Sequence, residues 1–316
     1  MSPAYILRRL GTLLLVLFGV SVLTFAIIPL VPGSPARVKL GIQATPEAVA
    51  TLERQLGLDR PLTTQYLEWI TGIVTRFDFG KSLISDRPIT GEVARRLPAT
   101  LQLAFVALLI GLVIALPAGI TAALKPGGSR DVGAMVFSQI GVSVPDFWMG
   151  ILLILVFAEY LQWLPSSGFV PISDGFGAWL SHIILPALTA GLISGAIMTR
   201  FVRSAMLEVL GQDYIRTAHA KGLSERVVLN KHALRNASIS IMTIIGLQMA
   251  TLLSSVVVVE IIFAWPGLGS MALNSTLQRD YPTLQASVLL FATAFAVINL
   301  LTDLSYALLD PSVDYA

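Results

Sequence analysis

The 316-residue chain has no cysteine, three histidines and few charges, with Asp, Glu, Lys and Arg together making up 13% of it. The missing cysteines exclude disulfides and thiolate metal sites, and say little about compartment. His182, His219 and His232 are not paired at ligand spacing, so no metal site is expected, and His182 reads as a structural or interfacial residue. A soluble domain would be about a quarter charged; this chain is not built for water on every side. A net charge of +2 is too small to argue for nucleic acid. What is abundant is apolar: 55% of residues are hydrophobic and the mean hydropathy is +0.77. The solvent for such a chain is a bilayer, and the quantity to count is spans.

A spanning helix needs about 20 mostly apolar residues to cross about 30 Å of hydrocarbon. Six stretches qualify: Leu10 to Val31, Leu97 to Leu124, Val132 to Leu164, Phe176 to Thr199, Ala237 to Val259 and Leu284 to Thr302. The third carries Asp146 and Glu159 and is long enough to be kinked, at Pro145. Pro117 and Pro145 are tolerable inside spans because neighbouring helices and water can satisfy the freed carbonyls. The first run exceeds a signal peptide's apolar core and lacks a small-x-small cleavage site, so it reads as a retained anchor.

Orientation follows from Lys and Arg in the short loops. With the N-terminus inside, the inner segments 1–9, 125–131 and 200–236 hold eleven of them, from Arg8 and Arg9 to Arg235, while the short outer loops hold only Arg279. Segment 32–96 is also basic, but loops above roughly 60 residues escape the rule. Both termini are predicted to be cytoplasmic.

Segment 32–96 reads as a small folded outer domain. Thr45-Pro46-Glu47 supplies an N-cap, a first-turn proline and a first-turn acid, and Gly57 a stop. Val49, Leu52 and Leu56 share one face of that helix, and a second helix after Pro61 places Leu67, Ile70, Val74 and Phe77 near helical spacing. Gly80-Lys81-Ser82 ends like a phosphate loop. Thr75 stands where that motif needs glycine, and no buried strand precedes it, so nucleotide binding is not expected.

The inner segment 200–236 is the most informative. Asp213 is placed to cap a helix over Tyr214 to Lys221 that stops at Gly222, and Ser224 to cap a second helix running toward Arg235. A basic loop that merely sets topology is one reading. A preformed projection of two capped helices is the other, since topology does not require caps around a glycine.

The run Asp213-Tyr214-Ile215-Arg216-Thr217-Ala218-His219-Ala220-Lys221-Gly222-Leu223-Ser224, continued by Lys231 to Ala237, resembles the coupling motif of ABC importer permeases, in the dipeptide/oligopeptide/nickel branch. Arg216-Thr217-Ala218 stands where the general motif has Glu-Ala-Ala, and His219 where arginine is common. Asp78 to Ser82 with Arg96 to Thr100, Phe263 to Gly269, and Tyr306 to Pro311 agree, and the large segment after the first span resembles the B-type partner of the two permeases. The resemblance implies an all-α membrane protein with about six transmembrane helices, the type I ABC importer permease fold, and a small extracytoplasmic domain between spans 1 and 2. Its parts would be the N-terminal end and first span (1–31), the outer domain (32–96) and a transmembrane core (97–316) with its coupling loop at 200–236.

The resemblance further implies a bacterial inner-membrane subunit with no cofactor of its own. Its partners would be a second homologous permease in a heterodimer, two ATP-binding subunits that hold ATP and Mg, and an extracytoplasmic substrate-binding protein. Asp213, Tyr214, Arg216, Ala218, Lys221, Gly222, Leu223 and Ser224 would then dock on an ATPase subunit. Glu260, before Trp265-Pro266-Gly267, reads as an interfacial anchor and turn or, on the resemblance, as an outer gate that meets the binding protein. Asp146 and Asp303, costly against lipid, would face the pathway or pair with the partner subunit. Gly191 and Gly195 form a small-xxx-small pair for close helix packing. An ion-coupled transporter or channel would call for an inverted repeat or a chain of embedded acids, and no convincing repeat is found. No Ser–His or metal-ligand set falls within the spans, as an intramembrane enzyme would need.

Overall fold

The computed structural model describes residues 3–30, 34–41 and 44–309, with side chains over 6–29, 34–41 and 44–305. The helices are α1 (Pro3–Leu30), α2 (Pro35–Leu40), α3 (Pro46–Gln55), α4 (Leu62–Arg76), α5 (Ile89–Leu124), α6 (Ser129–Ser143) and α7 (Asp146–Leu153). There follow α8 (Phe176–Leu210), α9 (Asp213–Ala220), α10 (Glu225–Val227), α11 (Leu234–Ile262), α12 (Leu268–Gln278) and α13 (Tyr281–Leu309). Five stretches are long and apolar enough to cross a membrane as continuous helices: Ile6–Pro29, Ile89–Leu124, Phe176–Leu210, Glu225–Ile262 and Tyr281–Ser305. The chain is an all-α membrane protein with five such spans, or six if α6 and α7 together make one.

The expected kink at Pro145 is a turn of 103° between α6 and α7. Val144 is extended (φ −89°, ψ 122°), and so is Pro145 at the N-cap of α7. A residue before proline is driven out of the helical region, and proline cannot donate to the preceding turn. Beyond Leu153 the helix widens into a π-helical stretch, Ile154–Tyr160.

The described residues fall into two units. The first comprises the residues up to Arg9, Leu101–Trp265 and those from Val297 on. Within it α5 and α8 run parallel and nearly backbone to backbone. A Cβ on Gly191 would lie 2.8 Å from the Ala107 carbonyl oxygen, and one on Gly119 would lie 2.7 Å from Val202. Gly191 and Gly195 therefore accommodate a helix of this same chain. On another side α6 packs antiparallel to α8, with Gly141 against Ala196.

The second unit comprises Leu10–Thr100 and Pro266–Ala296, so segment 32–96 is built together with α12 and the start of α13. Thr45 Oγ1 accepts the Ala48 N–H as its cap, and Gly57 (φ +70°) closes α3. Leu67 and Val74 of α4 and Phe77 at its C-cap are exposed and Ile70 is half-buried, while Tyr66 and Trp69 turn inward onto Phe25 of α1. The expected stripe is thus mostly exposed, and the aromatics beside it make the contact with α1. Ser82, at the end of Gly80-Lys81-Ser82, helps hold a carboxylate: Asp280 accepts from Ser82 Oγ at 2.6 Å, from the Leu83 N–H at 3.0 Å and from Thr283 Oγ1 at 2.7 Å. Beside it Phe79, Ile89 and Val93 pack with Leu268, Met271 and Ala286.

Candidate functional site

α8 does not stop at Arg200, where the apolar run ends. It continues to Leu210, and Gly211 and Gln212 turn the chain into α9. Gln212 occupies the extended N-cap position, so Asp213 is the first helical residue and not the cap. An acid there suits the positive end of the helix. Its side chain is 93% exposed and takes a 3.4 Å contact from Arg216 one turn on.

Eight residues are too few for a helix to persist alone in water. What holds α9 is one face: Ile215 and Ala218, three apart, are buried with Ala123 of α5, Val202 and Met206 of α8, and Val228, Ala233 and Ile241 of the following segment. Ala218 belongs to that internal packing and is not part of a docking face. The opposite face presents Tyr214, Arg216 and, beyond the helix, Lys221, Leu223 and Ser224 to solvent.

The end of α9 is closed by a paired backbone motif. Gly222 (φ +76°) donates its N–H to the His219 carbonyl at 2.9 Å, and Leu223 donates to Ala218 at 3.4 Å. This is the arrangement in which a left-handed residue satisfies the last carbonyls of a helix. Lys221 is at the C-cap, not inside the last turn. Ser224 is extended at the N-cap of α10, as its sequence position suggests, without a side-chain capping bond. The second helix is not a separate element ending near Arg235. It runs through α10, a π-helical stretch (Val228–Ala233) and α11 as one 38-residue helix, Glu225–Ile262.

The residues expected to form an outer gate are largely inside. Glu260 is 0% and Trp265 1% exposed, Gly267 is buried, and Pro266 is half-buried. Trp265 packs edge-on against Phe169 with ring centroids 4.7 Å apart, and its N–H closes α11 on the Glu260 carbonyl at 2.8 Å. Burial makes Glu260 and Trp265 scaffold here and not a surface for a soluble protein. Asp146 is half-buried in the first turn of α7, at the bend. Asp303 pairs with Arg9 of this chain at 2.8 Å. Asp310 and Pro311 of the last motif lie outside the described residues.

Two features are not evident in sequence. Ile215 was hidden among the motif's polar residues, although its spacing of three from Ala218 marks the buried face. Asp131 and Arg203, separated by 72 positions, form a paired salt bridge between the N-terminal end of α6 and the C-terminal part of α8.

Residues 115–315 match the family described as binding-protein-dependent transport system inner membrane component, and residues 3–104 match the N-terminal module of such membrane components. The dipeptide transport system permease protein DppB of Alkalihalophilus pseudofirmus is 40% identical over 99% of both chains. The glutathione transport system permease protein GsiC of Escherichia coli is 42% identical over 98% of this chain and 99% of its own. In fold, the chain is similar to an inward-facing structure of the MetNI methionine ABC transporter, with a TM-score of 0.58, 19% identity and coverage of 70% of this chain and 97% of that one. With matches spanning nearly its whole length, the chain belongs to the inner membrane component family of binding-protein-dependent transport systems.

Proposed function

We propose that the chain is the non-catalytic permease subunit of an ATP-driven importer of the bacterial inner membrane and forms half of its translocation pathway. The cargo is a peptide, di- or oligopeptides first, as the names of the peptide and glutathione permeases similar to it suggest. Its partners are a second homologous permease, two ATP-binding subunits and an extracytoplasmic substrate-binding protein. The supporting observation is α9: a glycine-closed helix with one face exposed and the other buried against the ends of two long helices.

That geometry suits a lever. ATP-binding subunits that close together would push on Tyr214, Arg216, Lys221 and Leu223. Ile215 and Ala218 pass the push to α8, and the chain leaves Ser224 directly into a helix that rises about 57 Å at 1.5 Å per residue. A rigid helix moved at one end moves along its length, which converts a local displacement into a change of the pathway.

The purified chain alone should hydrolyse no ATP, and hydrolysis with dipeptide uptake should appear when the ATP-binding subunits, second permease and binding protein are restored. Turnover by the isolated chain, free of contaminating ATPase, would overturn the assignment. Topology has its own test: single cysteines at Thr51 and Ser224, both exposed, should label from opposite sides of the membrane, Thr51 by an impermeant reagent outside. Access to both from one side would refute cytoplasmic termini.

A further inference from the structure

We propose that Asp131 and Arg203 are a positioning pair that carries the displacement of α9 into α6 and so to the 103° bend at Pro145, setting how much transport each ATP supports. The proposal rests on the importer reading and goes beyond it, because it concerns where the movement goes after α9.

Arg203 lies on the turn of α8 that also bears Val202, Ala205 and Met206, and these pack in the cluster that holds Ile215 and Ala218. Whatever shifts α9 reaches that turn first. Asp131 is 5% exposed. Its carboxylate accepts from Arg203 through Nε and through Nη2 (2.8 Å), and from the Gly127 N–H at 2.8 Å. One side chain thus ties α8 to α6 and to the turn that follows α5.

A fork-to-carboxylate pair fixes orientation as well as distance, whereas apolar surfaces can slide. Orienting the loop in the membrane requires the cation alone. A buried acid is costly unless paired and hydrogen-bonded, so its presence calls for a reason other than topology. The second attachment of α6 to α8, Gly141 against Ala196, lies about 15 Å farther along α6 at 1.5 Å per residue. Held at both points, α6 moves as a strut with α8, and the break at its far end is Val144–Pro145.

The test uses the whole transporter in liposomes, with binding protein outside and a dipeptide as cargo, and measures both ATP hydrolysis and uptake. Asp131→Asn keeps the shape and removes the charge. Arg203→Lys keeps the charge and removes the fork. Both variants should assemble and hydrolyse ATP while uptake per ATP falls roughly fivefold or more, the lower range of coupling between sites. The exchange Asp131→Arg with Arg203→Asp should recover part of that ratio. An unchanged ratio in either assembling variant, or loss of assembly in both, overturns the proposal and leaves the pair a structural one. Absence of ATP-driven uptake by the wild-type complex would instead be a failure of the importer reading.

Discussion

Gly222→Val leaves the chain inserted in the membrane and removes transport. At φ +76° the glycine sits where L-residues are strained, and a side chain there costs about 1–2 kcal/mol, most for a β-branched one. No atom lies within 4 Å of the Cβ position, so there is no clash to add. That strain is too small to unfold a bundle packed as tightly as α5, α6 and α8. It is enough to change the population of the correctly closed α9 by a factor of about 5–30. The valine variant should therefore express normally, lose most of its capture of the ATP-binding subunits in a pull-down, and lose uptake by a similar factor. Gly222→Ala should be milder. Wild-type association and uptake in Gly222→Val would mean that this turn is not the coupling element, and the reading as a basic topology loop would be preferred.

The same replacement at Gly191 should fail in the opposite way. Its Cβ would lie 2.8 Å from the Ala107 carbonyl oxygen and 2.9 Å from the Ile110 side chain, on a helix axis that cannot yield alone. Overpacking of a well-filled contact costs about 1–3 kcal/mol, and valine adds two further methyl groups beyond the clashing carbon. Gly191→Val should lower the yield of monodisperse protein and its melting temperature in detergent, and lose association and uptake together because folded chain is lost. Gly133→Val, at an exposed glycine of α6 with open space around it, should behave as wild type in the same melting assay. Equal melting temperatures for Gly191→Val and wild type would show that α5 and α8 are not packed as described.

Much of this was legible in the chain because backbone rules are local. Thr45-Pro46, Gly57, Pro145 and Gly222 each force a conformation that no distant contact is needed to explain, and the structure has a cap, two left-handed stops and a break at those residues. Hydropathy was less informative about length. Arg200 and Arg203 end an apolar run, but a helix entering water or protein has no reason to unwind, and α8 continues to Leu210. The same holds for Glu225–Ile262, whose charged first turns concealed its continuity with the span. Faces were the least legible part. Leu67 and Val74 match a buried stripe as well as Tyr66 and Trp69 do, and only the partner Phe25, some forty positions away, decides between them. Trp265 is likewise packed on Phe169, almost a hundred positions away, which no local pattern announces.

The break at Val144–Pro145 has a consequence for what fills the space around it. α6 is 15 residues long and rises about 22 Å, short of the roughly 30 Å of hydrocarbon that a crossing requires. A turn through 103° leaves peptide groups without helical partners, and lipid tails could not hydrogen-bond them. Only protein or water can. α7 packs against α8 and α11, so protein lies beside the bend, and Asp146 in the next turn is half-buried. α5 and α8 are closed on each other by glycine against backbone, whereas the change of direction between α6 and α7 is set by one imino acid.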